Sequence, residues 1–189
     1  RDLQVVLWVA RAAGLGKSWE ELARNGLATA FEVRQIKANE ALLSLIRARL
    51  HMLADRREDR LVFDLQTVVA ESFGYASVAP DGSRLARRAS ESLMRRYYWA
   101  AKAVTQLNQI LLLNIEEYLQ AQRGDLQIEL RKLNANFYEK NGLLELAQDD
   151  LYQKHPHAIL ETFLLYQQTQ GVKGLSAKTL RALYNVRGV

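Results

Sequence analysis

The chain has 189 residues, a net charge of +5, 49% hydrophobic residues and no cysteine. That length makes one domain, or two small ones, and lets the chain bury roughly 70% of the surface that its unfolded form exposes. Near-average apolar and charged fractions exclude intrinsic disorder, and the missing cysteines remove disulfides, thiol catalysis and thiolate metal sites together. Two prolines and ten glycines leave few helix breakers, which predicts an all-α chain.

Residues 1–14 are mostly apolar and end at Gly14, so they predict a short helix. Ser18-Trp19-Glu20-Glu21 has the layout of a capping box, in which the serine oxygen accepts from an early backbone N–H and Glu21 reaches back. That helix stops at Asn25-Gly26. Thr29-Ala30-Phe31-Glu32 repeats the device and opens a long helix, in which Ile36, Leu43, Ile46, Leu50 and Leu53 recur three or four residues apart, Asn39 filling the missing step. Such a seam packs against another helix.

Residues 55–60 are all charged, and Leu61 to Phe73 resumes an amphipathic pattern up to Gly74. Gly74, Pro80, Asp81, Gly82 and Ser83 mark a loop. A second long helix is expected from about 84 to 122, with Leu93, Tyr97, Ala100, Val104, Leu107, Leu111 and Tyr118 as a heptad-like stripe broken by Asn114. Two long antiparallel helices with matching stripes imply a bundle core. Residues 125–136 are helical in composition. An Asn141-Gly142 pair between two short apolar runs then signals a hairpin near 137–146. Pro156 stands where a helix can begin, running to Gly171, and a last helix starts near Ser176. The expected division is a core bundle over 1–123 and a hairpin–helix extension over 125–189, all within one helical domain.

No segment approaches the ~18–20 apolar residues of a membrane span. Arg1-Asp2-Leu3-Gln4 has neither an initiator methionine nor a signal-peptide layout, so a piece of a longer protein is expected. His51, His155 and His157 lack zinc-like spacing. His51 is expected as a hydrogen-bonded core residue, the other two as exposed at a helix start. Gly14-Leu15-Gly16-Lys17 lacks the upstream strand and spacing of a nucleotide loop. Metal-assisted nucleotidyl transfer calls for two converging carboxylates, but no Asp-x-Asp occurs and Asp149-Asp150 points its side chains apart. The chain alone is expected to hold no metal and no catalytic residue. Arg84, Arg87, Arg88 and Arg95 share a helical face with Glu91, which predicts an ion-pair ladder rather than a nucleic-acid surface. Tyr97, Tyr98 and Trp99 are consecutive and point in different directions, so they make no base-stacking face.

His51-x-Leu53 followed by Arg57-x-Asp59-Arg60-Leu61-x-Phe63-Asp64-x-Gln66 resembles the central segment of bacterial PII-protein uridylyltransferases, the bifunctional uridylyltransferase/uridylyl-removing enzymes. The resemblance extends to Arg1-Asp2-Leu3-Gln4, Glu20-Glu21-Leu22, Gly26-Leu27, Arg95-Arg96-Tyr97-Tyr98, Leu107-Asn108, Phe137 and Asn141-Gly142-Leu143, and it departs mainly within 121–136. It implies a cytoplasmic enzyme in which this helical domain lies between a nucleotidyltransferase and an HD hydrolase. The parent would use Mg²⁺ or Mn²⁺ to move UMP from UTP to the nitrogen-signalling protein PII. On that resemblance Asp2, Arg57, Asp59, Arg60, Asp64 and Gln66 are candidate nucleotide-binding residues. The arginines would meet the triphosphate, and Asp59, Asp64 and Gln66 would orient them or read the uracil edge. The alternatives are a polar network that locks two helices, a scaffold that spaces the catalytic domains and docks PII, and the distantly similar helical region of a glutamine-synthetase adenylyltransferase.

Overall fold

The computed structural model describes residues 2–83, 88–124 and 129–186, with the backbone alone at Asp2. Among these residues the chain forms α1 (Asp2–Ala12), α2 (Trp19–Arg24), α3 (Ala30–Ala54), α4 (Phe63–Ser72), α5 (Ala89–Gln122), β1 (Leu130–Lys132), β2 (Phe137–Lys140), β3 (Leu143–Leu146), α6 (Leu151–Lys154), α7 (Ala158–Gln168), β4 (Gly174–Leu175) and α8 (Ala177–Asn185). The mostly helical class and the hairpin follow the sequence expectation. The chain divides into two compact units: Leu3–Ala28 with Asn108–Val189, and Thr29–Leu107. Helix α5 contributes residues to both.

In the Thr29–Leu107 unit, the box that opens α3 is complete. Glu32 N–H donates to Thr29 Oγ1 at 3.1 Å, and Thr29 N–H donates to the Glu32 carboxylate at 2.7 Å. This satisfies backbone donors that the first turn of a helix otherwise leaves unpaired. Ile46 and Leu50 of α3, Val69 and Ala70 of α4, and Ala89 and Leu93 of α5 form one buried cluster, with Leu42 and Tyr97 against it. Leu53 is 41% exposed, because α3 ends two residues later with Asp55 in the left-handed region, φ 50°. The loop before α5 supplies Ser77, whose hydroxyl accepts from Ala89 N–H at 3.0 Å. Of the arginines expected around Glu91, Arg84 and Arg87 lie outside the described residues, and no ion pair joins Glu91 to Arg95 among the described ones.

In the other unit, Ser18 accepts from Glu21 N–H at 3.3 Å. The Glu21 carboxylate passes over Ser18 and accepts from Lys17 N–H at 2.6 Å, so only half of the expected box forms. Asn114, the break in the α5 stripe, donates its amide to the Leu27 carbonyl at 2.7 Å. The hairpin forms with Asn141 and Gly142 both at positive φ, 52° and 79°, the turn geometry that matches strand twist. It is two strands of a four-stranded sheet ordered β1-β2-β3-β4, antiparallel except that β4 lies parallel to β3.

The helical expectation for 125–136 is corrected over 130–132. Here β1 pairs Leu130 with Lys140 and Lys132 with Tyr138, and Arg131 forms an ion pair with Glu139. The open edge of the hairpin offers backbone partners that a short helix would not use, and pairing overrides local propensity. Residues 125–128 lie outside the described ones.

Phe137, Leu144, Leu146, Leu151, Tyr152, Ala158 and Ala182 form the buried core between the sheet and its helices. Polar atoms inside it are paired. Tyr152 OH and Thr162 Oγ1 are 2.7 Å apart, and Thr162 Oγ1 donates to the Ala158 carbonyl at 2.7 Å. Thr179, fully buried, accepts from Leu146 N–H at 3.2 Å and donates to the Leu144 carbonyl at 2.9 Å. One hydroxyl thereby continues the edge of β3 beyond the end of the two-residue β4. Ser176 caps α8, its Oγ accepting from Thr179 N–H at 3.2 Å.

Replacing Thr179 by valine keeps the shape and strands the Leu146 N–H, while the Leu144 carbonyl still accepts from Ser176 N–H at 3.0 Å, a loss of about 1–3 kcal/mol. Urea denaturation measures this, and Thr179→Ser, which keeps the hydroxyl, loses less. A second expectation concerns Glu117, half-buried on α5, whose carboxylate accepts from Ala177 N–H at 2.8 Å. Burial pushes its pKa up, outweighing that hydrogen bond and the nearby Lys140 and Arg181. The folded pKa lies above the unfolded one, so the group favours folding at low pH and this contribution is lost as pH rises through the raised value. Thermal melts from about pH 4 to about pH 7 should fall less steeply in Glu117→Gln than in the parent chain.

Candidate functional site

Asp55 turns the chain out of α3, and residues 56–62 run without helix or strand to Phe63, where α4 begins. Charge repeated at successive positions suits a solvated segment rather than an amphipathic element. Five of the six candidate residues fall here or in the first turns of α4, all within one unit. Asp2 stands apart in sequence as the first residue of α1.

Asp59 anchors the segment. Its Oδ1 accepts from Arg47 Nε at 2.6 Å and its Oδ2 accepts from Arg47 Nη2 at 3.2 Å, a two-pronged contact to α3. His51 Nε2 lies 3.3 Å from the same Oδ1. The Arg47 hydrogen bond, then that of His51, holds the Asp59 carboxyl below its ordinary range. Glu58 is fixed in a similar way, by the backbone N–H of Arg60 at 3.0 Å and by Arg56 Nη2 at 3.0 Å, and its pKa is also lowered. His51 is therefore a hydrogen-bonded histidine on a half-exposed face, not a core residue.

The remaining candidates have other surroundings. Arg57, Arg60 and Asp64 are exposed, and among the described residues no hydrogen bond or ion pair joins their side chains to a neighbour. Gln66 donates its amide to the Leu61 carbonyl at 3.3 Å rather than to either arginine. The carboxylate of Asp59 thus positions the backbone that carries Arg57 and Arg60 without touching their guanidinium groups. Arg47, which sequence reasoning left out, is the residue that connects the segment to α3. Its separation of twelve positions from Asp59 follows no helical period. Phe63, 77% exposed, and Met52, 80% exposed, lie close by in sequence.

Among the described residues no group of three or more His, Cys, Asp or Glu side chains converges as metal ligands would. No helix of the described residues is long and apolar enough to cross a membrane. Asp149 and Asp150 take separate lysine partners, Lys178 at 3.3 Å and Lys154 at 2.7 Å.

The family model described as GlnD PII-uridylyltransferase matches residues 1–112, which include all six candidate residues. The chain belongs to that family. A second family model, the uridylyltransferase GlnD third domain, matches residues 137–189, from the start of β2 onward. The chain is similar over its whole length to bifunctional uridylyltransferase/uridylyl-removing enzymes of Cupriavidus metallidurans, Cupriavidus pinatubonensis and Burkholderia mallei, each at 58% identity over 189 residues. It spans 21% of the length of each of these relatives. No solved structure matches the chain.

An exposed guanidinium with no hydrogen bond or salt bridge adds little to folding. Arg57→Ala and Arg60→Ala should each leave the thermal melt within about 2 °C of the parent chain. Asp59→Asn should lower the melting temperature in dilute salt, and the difference should shrink in about 1 M salt, where exposed charges are screened. The sign with pH is fixed by the lowered pKa: the Asp59 contribution is present above its ordinary value and lost as pH falls through the lowered one.

Proposed function

We propose that this chain is the helical region of a bifunctional uridylyltransferase/uridylyl-removing enzyme, lying between its nucleotidyltransferase and HD domains, and that its 55–66 segment lines the UTP site from which UMP passes to PII. The observation that carries the reading is the pairing pattern. Asp59 and Glu58 take Arg47 and Arg56, and Arg57 and Arg60 are left exposed with no hydrogen-bonded or salt-bridged carboxylate among the described residues, Arg60 adding only its through-space attraction for Glu58. A guanidinium that need not give up an existing carboxylate binds phosphate at lower cost, and its fork suits two phosphate oxygens at once. Arg57 and Arg60 would neutralise the triphosphate. Asp64, exposed at the start of α4, would accept from a ribose hydroxyl or from uracil N3–H, and Gln66 would keep its carbonyl oxygen for the base. Asp2, in the first turn of α1, would sit near the edge of the nucleotide cleft. The metal would be held by residues outside this segment.

The scaffold reading draws on a different feature. Leu160, Phe163 and Leu164 on α7 are 75%, 48% and 50% exposed, an apolar stripe of the kind that marks a protein contact.

The test uses the full-length parent, with labelled UMP followed from UTP onto PII and folding checked by circular dichroism and thermal melt. Arg60→Ala should raise the UTP KM about tenfold or more, the equivalent of one charged hydrogen bond. An unchanged KM in a folded variant would leave the segment a spacer. No transfer by the folded wild type would remove the uridylyltransferase assignment itself.

A further inference from the structure

A second cationic feature lies in the other unit, where α1 passes into α2. Arg11 in the last turn of α1, Lys17 in the connecting loop and Arg24 in the last turn of α2 line one cavity of about 420 Å³ with Gly14, Gly16 and Glu21. Three cations face a single carboxylate. That carboxylate is already engaged, accepting from Lys17 N–H at 2.6 Å, with its other oxygen 3.9 Å from Arg24 Nη2. Like charges around one opening repel, and a bound anion relieves that repulsion.

The loop is held in shape. Leu15 N–H donates to the Ala10 carbonyl at 2.8 Å, and Asn25 donates its amide to the Leu15 carbonyl at 2.6 Å. Gly16 has φ 146°, and a Cβ there would come within 3.1 Å of Glu21 Cβ, so the loop lies close on α2. Gly14 has φ 72°, and a Cβ there would meet nothing within 4 Å, so the space above it is open. A fixed loop gives the cations a fixed spacing, which lowers the ordering cost of binding.

We infer that this cavity binds a small phosphorylated anion with two or more negative charges, a di- or triphosphate group, between Arg11, Lys17 and Arg24. Its volume suits a small molecule, and the three cationic side chains among its lining residues favour an anion over an apolar ligand. The inference does not rest on the proposed role of Arg57 and Arg60, which lie in the other unit.

The full-length protein is treated with an amine-acetylating reagent, and peptide mass mapping reads Lys17, with exposed Lys102 as the internal reference. Inorganic pyrophosphate, UTP, uridine and sodium chloride at matched ionic strength are compared. Pyrophosphate and UTP should slow acetylation of Lys17 and leave Lys102 unchanged, whereas uridine and sodium chloride should do neither. The Arg11→Ala/Arg24→Ala double variant should need about tenfold or more pyrophosphate for the same protection. Protection by UTP without pyrophosphate, protection by salt alone, equal slowing of Lys102, or undiminished protection in the double variant would each overturn the inference. Because Lys17 is read directly, failure here is distinct from failure of UMP transfer.

Discussion

Both units depend on how they satisfy backbone groups that no helix or strand ladder reaches. With no cysteine and two prolines, the chain has neither cross-links nor many rigid turns to fix its corners. It uses short side-chain oxygens instead: Ser18 before α2, Thr29 before α3, Ser77 before α5 and Ser176 before α8 each accept from an otherwise open N–H. Thr179 carries the same economy into the core, acting on β3 as both acceptor and donor. An unpaired buried peptide group costs more than a made hydrogen bond contributes, so these few contacts help to set where α2, α3, α5 and α8 start.

The same logic separates structural charges from available ones in the 55–66 segment. Arg47 and Asp59 form a two-pronged contact that joins the segment to α3, and Arg56 closes on Glu58. Arginines of identical chemistry at 57 and 60 are left to solvent. Neighbours in sequence therefore have different work, and composition alone could not sort them.

Much of the helical fold was legible because its signals are local. The 3.6-residue recurrence marked α3 and α5, the Ser and Thr positions marked helix starts, and Asn141-Gly142 marked the hairpin. The elements that escaped are those made by distant partners. β4 is two residues long and exists through Leu143↔Gly174 and Leu144↔Leu175 pairing, and β1 exists through its register with β2. Neither leaves a periodic pattern. Glu21 shows a finer limit, since its side chain could reach either of two successive N–H groups and takes that of Lys17. At the candidate site, order and spacing singled out the stretch from Arg57 to Gln66, while the contact between Arg47 and Asp59 spans separate elements and was invisible to helical spacing.

β3, like β2, is flanked on both sides: β2 pairs along one edge, and β4 with the Thr179 hydroxyl covers the other. Everything that covers the second edge comes from the last sixteen residues. A chain cut after α7 would lose more than a terminal helix, for it would turn β3 into a bare template flanked by Leu144 and Leu146, open to strands of other molecules. The C-terminal residues thus act as a guard against self-association as much as a part of the core.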